Sequence, residues 1–414
     1  MTAEILSVGT EILLGDILNT NARFLSEELA KLGVNVYWQT VVGDNRGRLL
    51  AAYGLAFERG ADLVIATGGL GPTEDDLTKE TAAEYFGRKL VLHEESWERM
   101  LAHFRGRQMP PNNKKQAMLP EGAAVLANNN GTAPGCALER DGKMIVLLPG
   151  PPNEMEPMFL ESVLPLLRPR TDHVLFSRTL KIVGVGESQA EILLKLLMDR
   201  QTNPTMALYA KTSEVWLRLT AAAPDEAAAK ELIKPAAGEA RRILGGSVYG
   251  EDGDTLAGAV VGLLRQRGLT IALAESCTGG ALTSALVDVP GASEALLEGL
   301  VTYSNRAKAE LLGVRAETLE KFGAVSEQTA REMAEGVRRA SGASIGAATT
   351  GIAGPGGGTP EKPVGLVYIT VSTDGKTEAR ECLFAGNRRK IRDRAVVTAL
   401  DMVRKAAAGY SCST

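Results

Sequence analysis

Two short apolar runs stop at glycine, "EILSVG" (4–9) and "DLVIATG" (62–68), and between them lie two helix-patterned stretches, "NARFLSEELAKLG" (21–33) and "RGRLLAAYGLAFERG" (46–60). That rhythm of strand, helix and strand dictates a parallel sheet wrapped by helices. "LLPGPPNEMEPMFLESVLPLLR" (147–168) closes the unit as a strand end, a proline-rich turn and a helix with proline near its start. At 414 residues the chain is too long for one ordinary domain.

After about residue 172 the pattern changes. "VLFSRTLKIVGV" and "VWLRLTAAA" read as strands, "ESQAEILLKLLMDR" and "DEAAAKELIKPAAGEARRILGG" as helices, a small α+β unit. "EDGD" (251–254) reads as a linker and helix cap. Beyond it, an amphipathic helix "TLAGAVVGLLRQRG" leads to strands "LTIALAES", "SIGAATTG" and "VGLVYITVST", and "RRKIRDRAVVTALDMVRKA" is a last helix. The expected organisation is α/β over 1–170, α+β over 171–251 and α/β over 252–414, with no internal repeat.

Composition excludes several classes. Net charge is −4 and no basic run is present, so direct nucleic-acid contact is not expected. "MTAEILSVGT" lacks the basic n-region and apolar core of a signal peptide, and no apolar run is long enough to span a bilayer. Cys136, Cys277, Cys382 and Cys412 are scattered without a CxxC, which fits a reducing cytoplasm and argues against a cysteine zinc site.

Chemistry concentrates in the last unit. "AESCTGG" (274–280) puts Ser276 and Cys277 at a strand-to-helix turn, where either is a candidate nucleophile. The amides of Gly279 and Gly280 are candidate oxyanion donors there; the same stretch also reads as a tight turn without chemistry. The chain's three histidines are His93, His103 and His173, so none lies near this turn in sequence. "GLVTYSNRAKAELLGV" (299–314) brings Tyr303 and Lys308, although a lone helical lysine is ordinarily a solvated charge. "AATTGIAGPGGGTPEKPVGLVYI" (347–369) carries Thr350, Gly351 and Gly354 in a loop whose amides suit a phosphate, or a long hairpin loop. In "FAGNRRKIRDRA" (384–395), Arg388 and Arg392 share one helix face and fit a phosphate, a carboxylate or a merely basic surface.

Together these stretches resemble the CinA family, whose C-terminal domain also occurs alone as the nicotinamide mononucleotide amidohydrolase. The matching words are "AESCTGG", "YSN..K..LLGV", "GAVSE", "TGIAGP.GG...KPVG" and "R...R..A"; "GNR" (386–388) departs from the expected "GDR". The resemblance implies a serine nucleophile with a lysine base: Ser276 with Lys308, assisted by Tyr303 and Thr350. Gly279, Gly280, Gly351, Gly354, Arg388 and Arg392 would bind nicotinamide mononucleotide, without a cofactor. A lysine base near neutral pH must lie about 3 units below its ordinary ~10.4, roughly 4 kcal/mol, and burial or a nearby cation can supply that shift.

In the first unit, "SVGTEILLGDILNTN", "ATGGLGPTEDDLTKE", "NNNGTAPG" and "LPGPPNEM" are polar or glycine-rich loops near predicted strand ends, where α/β sheets bind ligands. Glu11, Asp16, Asp75 and Asp76 are candidates for a hard cation such as magnesium beside a phosphate, although "TEDD" also reads as an ordinary acidic helix start. These words resemble the molybdopterin-binding (Mog-like) domain, a three-layer α/β fold. The variant at the front of CinA proteins is associated with metal-dependent ADP-ribose pyrophosphatase activity. Carried over, Thr67, Gly68, Gly69, Asn130 and Gly131 would bind ADP-ribose, and Glu11, Asp75 and Asp76 the metal. The middle unit is similar to the family's KH-like domain, but "GVGE" (184–187) departs from the GxxG loop of RNA-binding KH domains. It is read as a spacer or dimer element of an expected homodimer. A non-catalytic role in DNA uptake or recombination, as the family name implies, and simple molybdopterin binding are the competing readings.

Overall fold

The computed structural model describes residues 1–104 and 109–409. Cys412 lies outside them. The chain gathers into two compact units, one of Met1–Ser177 with Ala221–Leu232, the other of Arg178–Thr220 with the residues from Ile233 onward.

In the first unit, β1 (Thr2–Val8), β2 (Asn35–Val42) and β3 (Leu63–Thr67) are followed by the short pair β4 (Leu90–Leu92) and β5 (Met118–Pro120), then β6 (Ala124–Leu126), β7 (Gly135–Arg140) and β8 (Lys143–Leu148). The main sheet runs β2-β1-β3-β8-β7-β6. Its first four strands are parallel, as the glycine-ended runs predict. β7 and β6 are antiparallel, because Asp141 (φ 54°) and Gly142 (φ 75°) fold a two-residue turn that returns the chain directly as β8. Alternate strand residues feed two cores. Leu6, Val64, Ala66 and Leu147 pack with Leu49 and Tyr53 of helix Arg46–Glu58. Ile5, Ile65, Val146 and Leu148 pack with Leu25 and Leu29 of helix Thr20–Lys31. The period-2 alternation of a strand thus makes three layers.

The middle segment is a four-stranded sheet, β10-β11-β9-β12, built from β9 (Val174–Val183), β10 (Thr205–Ala210), β11 (Glu214–Ala223) and β12 (Val248–Glu251). Helices Glu187–Asp199 and Glu226–Leu244 accompany it. The "EDGD" expectation is corrected in detail. Asp254 receives the Glu251 amide at 2.8 Å and so shapes the turn, while Thr255 caps helix Leu256–Gln266 by accepting from the Gly258 amide at 3.0 Å.

The last domain holds β13 (Ile271–Glu275), β14 (Leu296–Val301), β15 (Ile345–Gly351), β16 (Leu366–Thr373) and β17 (Lys376–Leu383) in the order β14-β13-β15-β16-β17. β13 is parallel to both neighbours, and the next strands after it go to its two opposite sides. Such a reversal opens a crevice at the carboxyl ends of the strands. Glu275 pairs with Thr349 at that end, so Ser276 and Thr350 emerge side by side. Among the described residues no helix is long and apolar enough to cross a membrane.

Candidate active site

The turn after β13 is held from below by a carboxylate. Glu275 is fully buried. Its Oε2 accepts from the amides of Gly280 (2.9 Å) and Leu282 (3.1 Å), and its Oε1 from the amide (2.7 Å) and hydroxyl (2.6 Å) of Thr283. The first amides of helix Ala281–Val287 are therefore satisfied by a side chain from the preceding strand. Gly279 (φ 61°) and Gly280 (φ 90°) turn the chain left-handed to allow it. Ser276 continues the ladder, its amide donating to Thr349 O at 2.9 Å.

This arrangement corrects the oxyanion assignment. The Gly280 amide belongs to Glu275, and the Gly279 amide donates to Ser276 O at 3.2 Å. The amide of Thr278 donates to no acceptor among the described residues, and that of Cys277 faces no acceptor beyond its own thiol.

Lys308 is fully buried in helix Asn305–Leu312. Its Nζ lies 3.1 Å from Ser276 Oγ, 2.8 Å from Thr302 O and 3.3 Å from Tyr303 O. Burial pulls its ammonium below the usual lysine range; the neighbouring Cys277 thiol works weakly the other way. Tyr303 contributes its carbonyl, because its side chain is 65% exposed. Thr350 is buried and donates to Ala324 O at 2.7 Å. Cys277 points into the apolar cluster with Leu273, Leu282 and Ile391, where burial pushes its thiol up to about 11.

Two arginines of helix Arg388–Ala408 reach the same crevice from its first turns. Arg388 Nη1 donates to Gly354 O at 2.8 Å and Arg392 Nη2 to Thr278 O at 2.6 Å. Asn387, which stands where the aspartate of "GDR" was expected, caps this helix by accepting from the Lys390 amide at 3.0 Å. The cap is in place, and both arginines reach the crevice.

The first unit has a separate cleft of about 530 Å³ at the carboxyl ends of β1, β3 and β8. Glu11, Thr67, Gly68, Gly69, Asp75 and Asp76 all line it. Gly68 (φ 99°) and Gly69 (φ 66°) have no room for a side chain: a Cβ would come within 2.1 Å of Val8 O and of Thr78 Oγ1 respectively. Asp16, Asn130 and Gly131 are not on its wall; Gly131 borders a neighbouring cavity of about 400 Å³. Asp76 takes the Thr73 amide at 2.9 Å, and Thr73 with its neighbours holds Asp75 below the usual carboxylate range. Among the described residues no three acidic, histidine or cysteine side chains stand close enough to hold a metal ion by themselves.

Domain models match in chain order: "Probable molybdopterin binding domain" over 4–169, "Damage-inducible protein CinA KH domain" over 177–250 and "CinA C-terminal domain" over 253–407. A competence-damage inducible protein of Clostridium tetani is 54% identical over 407 residues, covering 98% of this chain and 99% of the relative. The chain belongs to the CinA family. A CinA-like protein of Kosmotoga olearia is 53% identical over 408 residues, covering 98% of this chain and 99% of its own. Among solved structures, the competence/damage inducible protein CihA of Agrobacterium tumefaciens shares 44% identity over 37% of this chain and 93% of its own, with a TM-score of 0.36. The fold is that of a CinA protein: a Mog-like domain, a KH-like domain and a CinA C-terminal domain.

Three residues in this CinA chain escaped the sequence reading. Glu275 had a signal, an acid directly before the candidate nucleophile with a hydroxyl-bearing Thr283 eight residues on. Lys79 and Lys115 had none. Lys79 is buried and donates to Lys115 O (2.7 Å) and Gln116 O (3.1 Å), and Lys115 donates to Thr73 O and Asp76 O at 2.6 Å each. Two lysines in series thus hold the acidic loop at the first cleft.

Proposed function

We propose that the C-terminal domain hydrolyses the carboxamide of nicotinamide mononucleotide, with Ser276 as nucleophile and Lys308 as general base. One observation carries the reading: a buried lysine nitrogen, depressed by burial, 3.1 Å from a serine hydroxyl, with two main-chain carbonyls as its other partners. A neutral amine gives its two N–H groups to Thr302 O and Tyr303 O and turns its lone pair to Ser276. Ser276 Oγ attacks the carboxamide carbon and passes its proton to Lys308. The C–N bond breaks as Lys308 returns that proton to the leaving nitrogen, and ammonia departs. Water then attacks the serine ester, again giving a proton to Lys308, and frees the carboxylate and the serine. The amides of Cys277 and Thr278, neither of which is bonded to another residue's carbonyl, are the candidate oxyanion donors. Arg388 and Arg392 take the phosphate, and a cationic pyridinium ring near Lys308 would lower its pKa further.

In the first unit we infer cleavage of the ADP-ribose pyrophosphate. Glu11 and the Asp75–Asp76 loop fit a divalent cation that shares its coordination with phosphate oxygens and water, not a protein-only cage. When bound, that cation supplies charge neutralisation at the pyrophosphate. Gly68 and Gly69 let the ligand approach the main chain closely. The second reading, a pterin in this cleft, is favoured by the molybdopterin domain match. A nucleic-acid role for the middle domain is disfavoured at Trp216, whose ring already carries Lys181 Nζ at 3.5 Å and Lys211 Nζ at 4.6 Å from its centroid.

The test is product analysis with each nucleotide, with and without chelator. Ammonia release from nicotinamide mononucleotide should survive chelation, and ADP-ribose cleavage should not. Ser276→Ala and Lys308→Ala should each cost roughly 100- to 10,000-fold in amidase turnover, with losses far from additive in the double variant. Full amidase activity in either single variant would overturn the Ser–Lys assignment.

A further inference from the structure

The segment "FGAV" (322–325) carries no ligand-binding side chain, yet each of its carbonyls accepts a side-chain donor. Gly323 O takes Ser326 Oγ (3.0 Å) and Thr329 Oγ1 (2.8 Å), and Ala324 O takes Thr350 Oγ1 (2.7 Å). Phe322 O and Val325 O both take the ammonium of Lys362, at 2.7 Å each. Lys362 belongs to the glycine-rich loop between β15 and β16. Its own turn is closed by Thr359 N to Lys362 O (2.9 Å) and Lys362 N to Thr359 Oγ1 (3.1 Å). The loop is therefore pinned twice, by Arg388 at Gly354 O and by Lys362 at the far end. Between the pins, the amides of Gly356, Gly357 and Gly358 donate to no acceptor among the described residues. Successive free amides in a glycine loop form an anion-binding concavity. The loop's long reach makes that concavity costly to order unless both ends are fixed.

We propose that Lys362 is a positioning residue: by bridging Phe322 O and Val325 O it fixes the glycine-rich loop, so that the loop amides and Arg388 receive the phosphate of the mononucleotide. Lys362 does not touch the substrate. The same segment is tied through Thr350 to β15, whose Thr349 receives the Ser276 amide, so the phosphate loop and the nucleophile turn share one frame. The inference rests on the amidase reading for the identity of the ligand, and on the loop geometry alone for the clamp.

The experiment uses the full chain with Lys362→Met, with Lys362→Gln and Lys362→Arg as second variants that retain a donor, and Glu361→Gln as an exposed control. Hydrogen exchange over 322–326 and 352–365 is measured without ligand and with inorganic phosphate. Turnover is compared for nicotinamide mononucleotide and for the phosphate-free nicotinamide riboside. Lys362→Met should speed exchange of both segments about tenfold without ligand and abolish the protection that phosphate gives the loop. KM for the mononucleotide should rise about tenfold with kcat held within about threefold, the riboside's kcat/KM should stay within about twofold, and Lys362→Arg should restore most of the loss. Equal losses on both substrates, or wild-type exchange in Lys362→Met, would overturn the clamp. If the wild-type chain hydrolyses neither substrate, the amidase reading falls, and the exchange and phosphate arms still decide this one.

Discussion

Replacing Glu275 by glutamine tests whether a buried carboxylate holds the nucleophile turn. Four donors converge on its two oxygens: the Gly280 and Leu282 amides on one, the Thr283 amide and hydroxyl on the other. Glutamine keeps one oxygen and puts an NH2 where the other was. If the NH2 faces Gly280 and Leu282, two amides lose their acceptor. If it faces Thr283, the hydroxyl can rotate to accept and one amide is orphaned, so this orientation wins. An orphaned buried N–H costs about 2 kcal/mol, and loss of charge assistance on the two surviving bonds adds about 0.5 kcal/mol each. The sum is about 3 kcal/mol, or roughly a 150-fold rise in local opening. Native-state hydrogen exchange at Gly280, Leu282 and Thr283 reads it directly, and is preferable to a melting temperature because a chain of two units need not melt in one step. Amidase turnover should fall with it, because Ser276 sits on the same turn. Exchange within about threefold of wild type at those amides, with turnover intact, would refute the reasoning. Glu298→Gln, on the exposed edge strand β14, is the matched control.

Two further outcomes follow from burial. Because Lys308 is held below its ordinary value and must be neutral to accept a proton, kcat/KM should rise with pH and level off below ~10.4; a profile that falls between pH 6 and 9 would contradict a lysine base. The sign carries to stability: between the lowered folded pKa and the unfolded one the unfolded chain binds the extra proton, so Lys308's contribution to unfolding free energy rises with pH in that window. Cys277, pushed up to about 11, should be alkylated at pH 7.5 roughly 300-fold more slowly than a free thiol of pKa 8.5, and Cys277→Ala should keep most amidase activity. Rapid alkylation with matching loss of turnover would make the enzyme a thiol amidase.

The parallel half of each α/β sheet was legible because buried parallel strands read as short apolar runs, "DLVIATG" stopping at glycine and "LTIALAES" at the polar turn that holds Ser276. Of the antiparallel halves, "VGLVYITVST" (β16) was legible as a strand, whereas β6, β7 and β17 were not, for a local reason. Asp141–Gly142 and Asp374–Gly375 each join paired strands directly, Arg140 facing Lys143 and Thr373 facing Lys376, and that signal is two residues long. β14 and β17 are edge strands with mostly exposed residues, so they lack the apolar run that marks β13 and β15. At the candidate site, the residue types were readable and their bonding was not. Which amides of "SCTGG" are free depends on where Glu275 and Ser276 O point, and only coordinates supply that. Acids in a loop look alike in sequence, so nothing there distinguishes Asp76, which accepts the Thr73 amide, from Asp75 beside it on the same cleft.

Two buried lysines of this chain differ in what their nitrogens meet. Lys79 and Lys308 are both buried, both lowered by burial, and both donate to two main-chain carbonyls. Neither sequence context announces burial, since lysine is among the residues most often exposed. What differs is the third position on nitrogen. For Lys308 it is the Ser276 hydroxyl at 3.1 Å, so loss of a proton leaves a lone pair facing a group that can give one up. For Lys79 no side-chain hydroxyl is bonded there among the described residues, and its two bonds serve the loop that carries Gln116 to the first cleft. Burial and a lowered pKa are therefore common to a lysine that meets only main-chain carbonyls and to one that also faces a serine hydroxyl. The distinction lies in what the freed lone pair meets, and that is why the amidase reading rests on the Ser276 contact and not on the lysine alone.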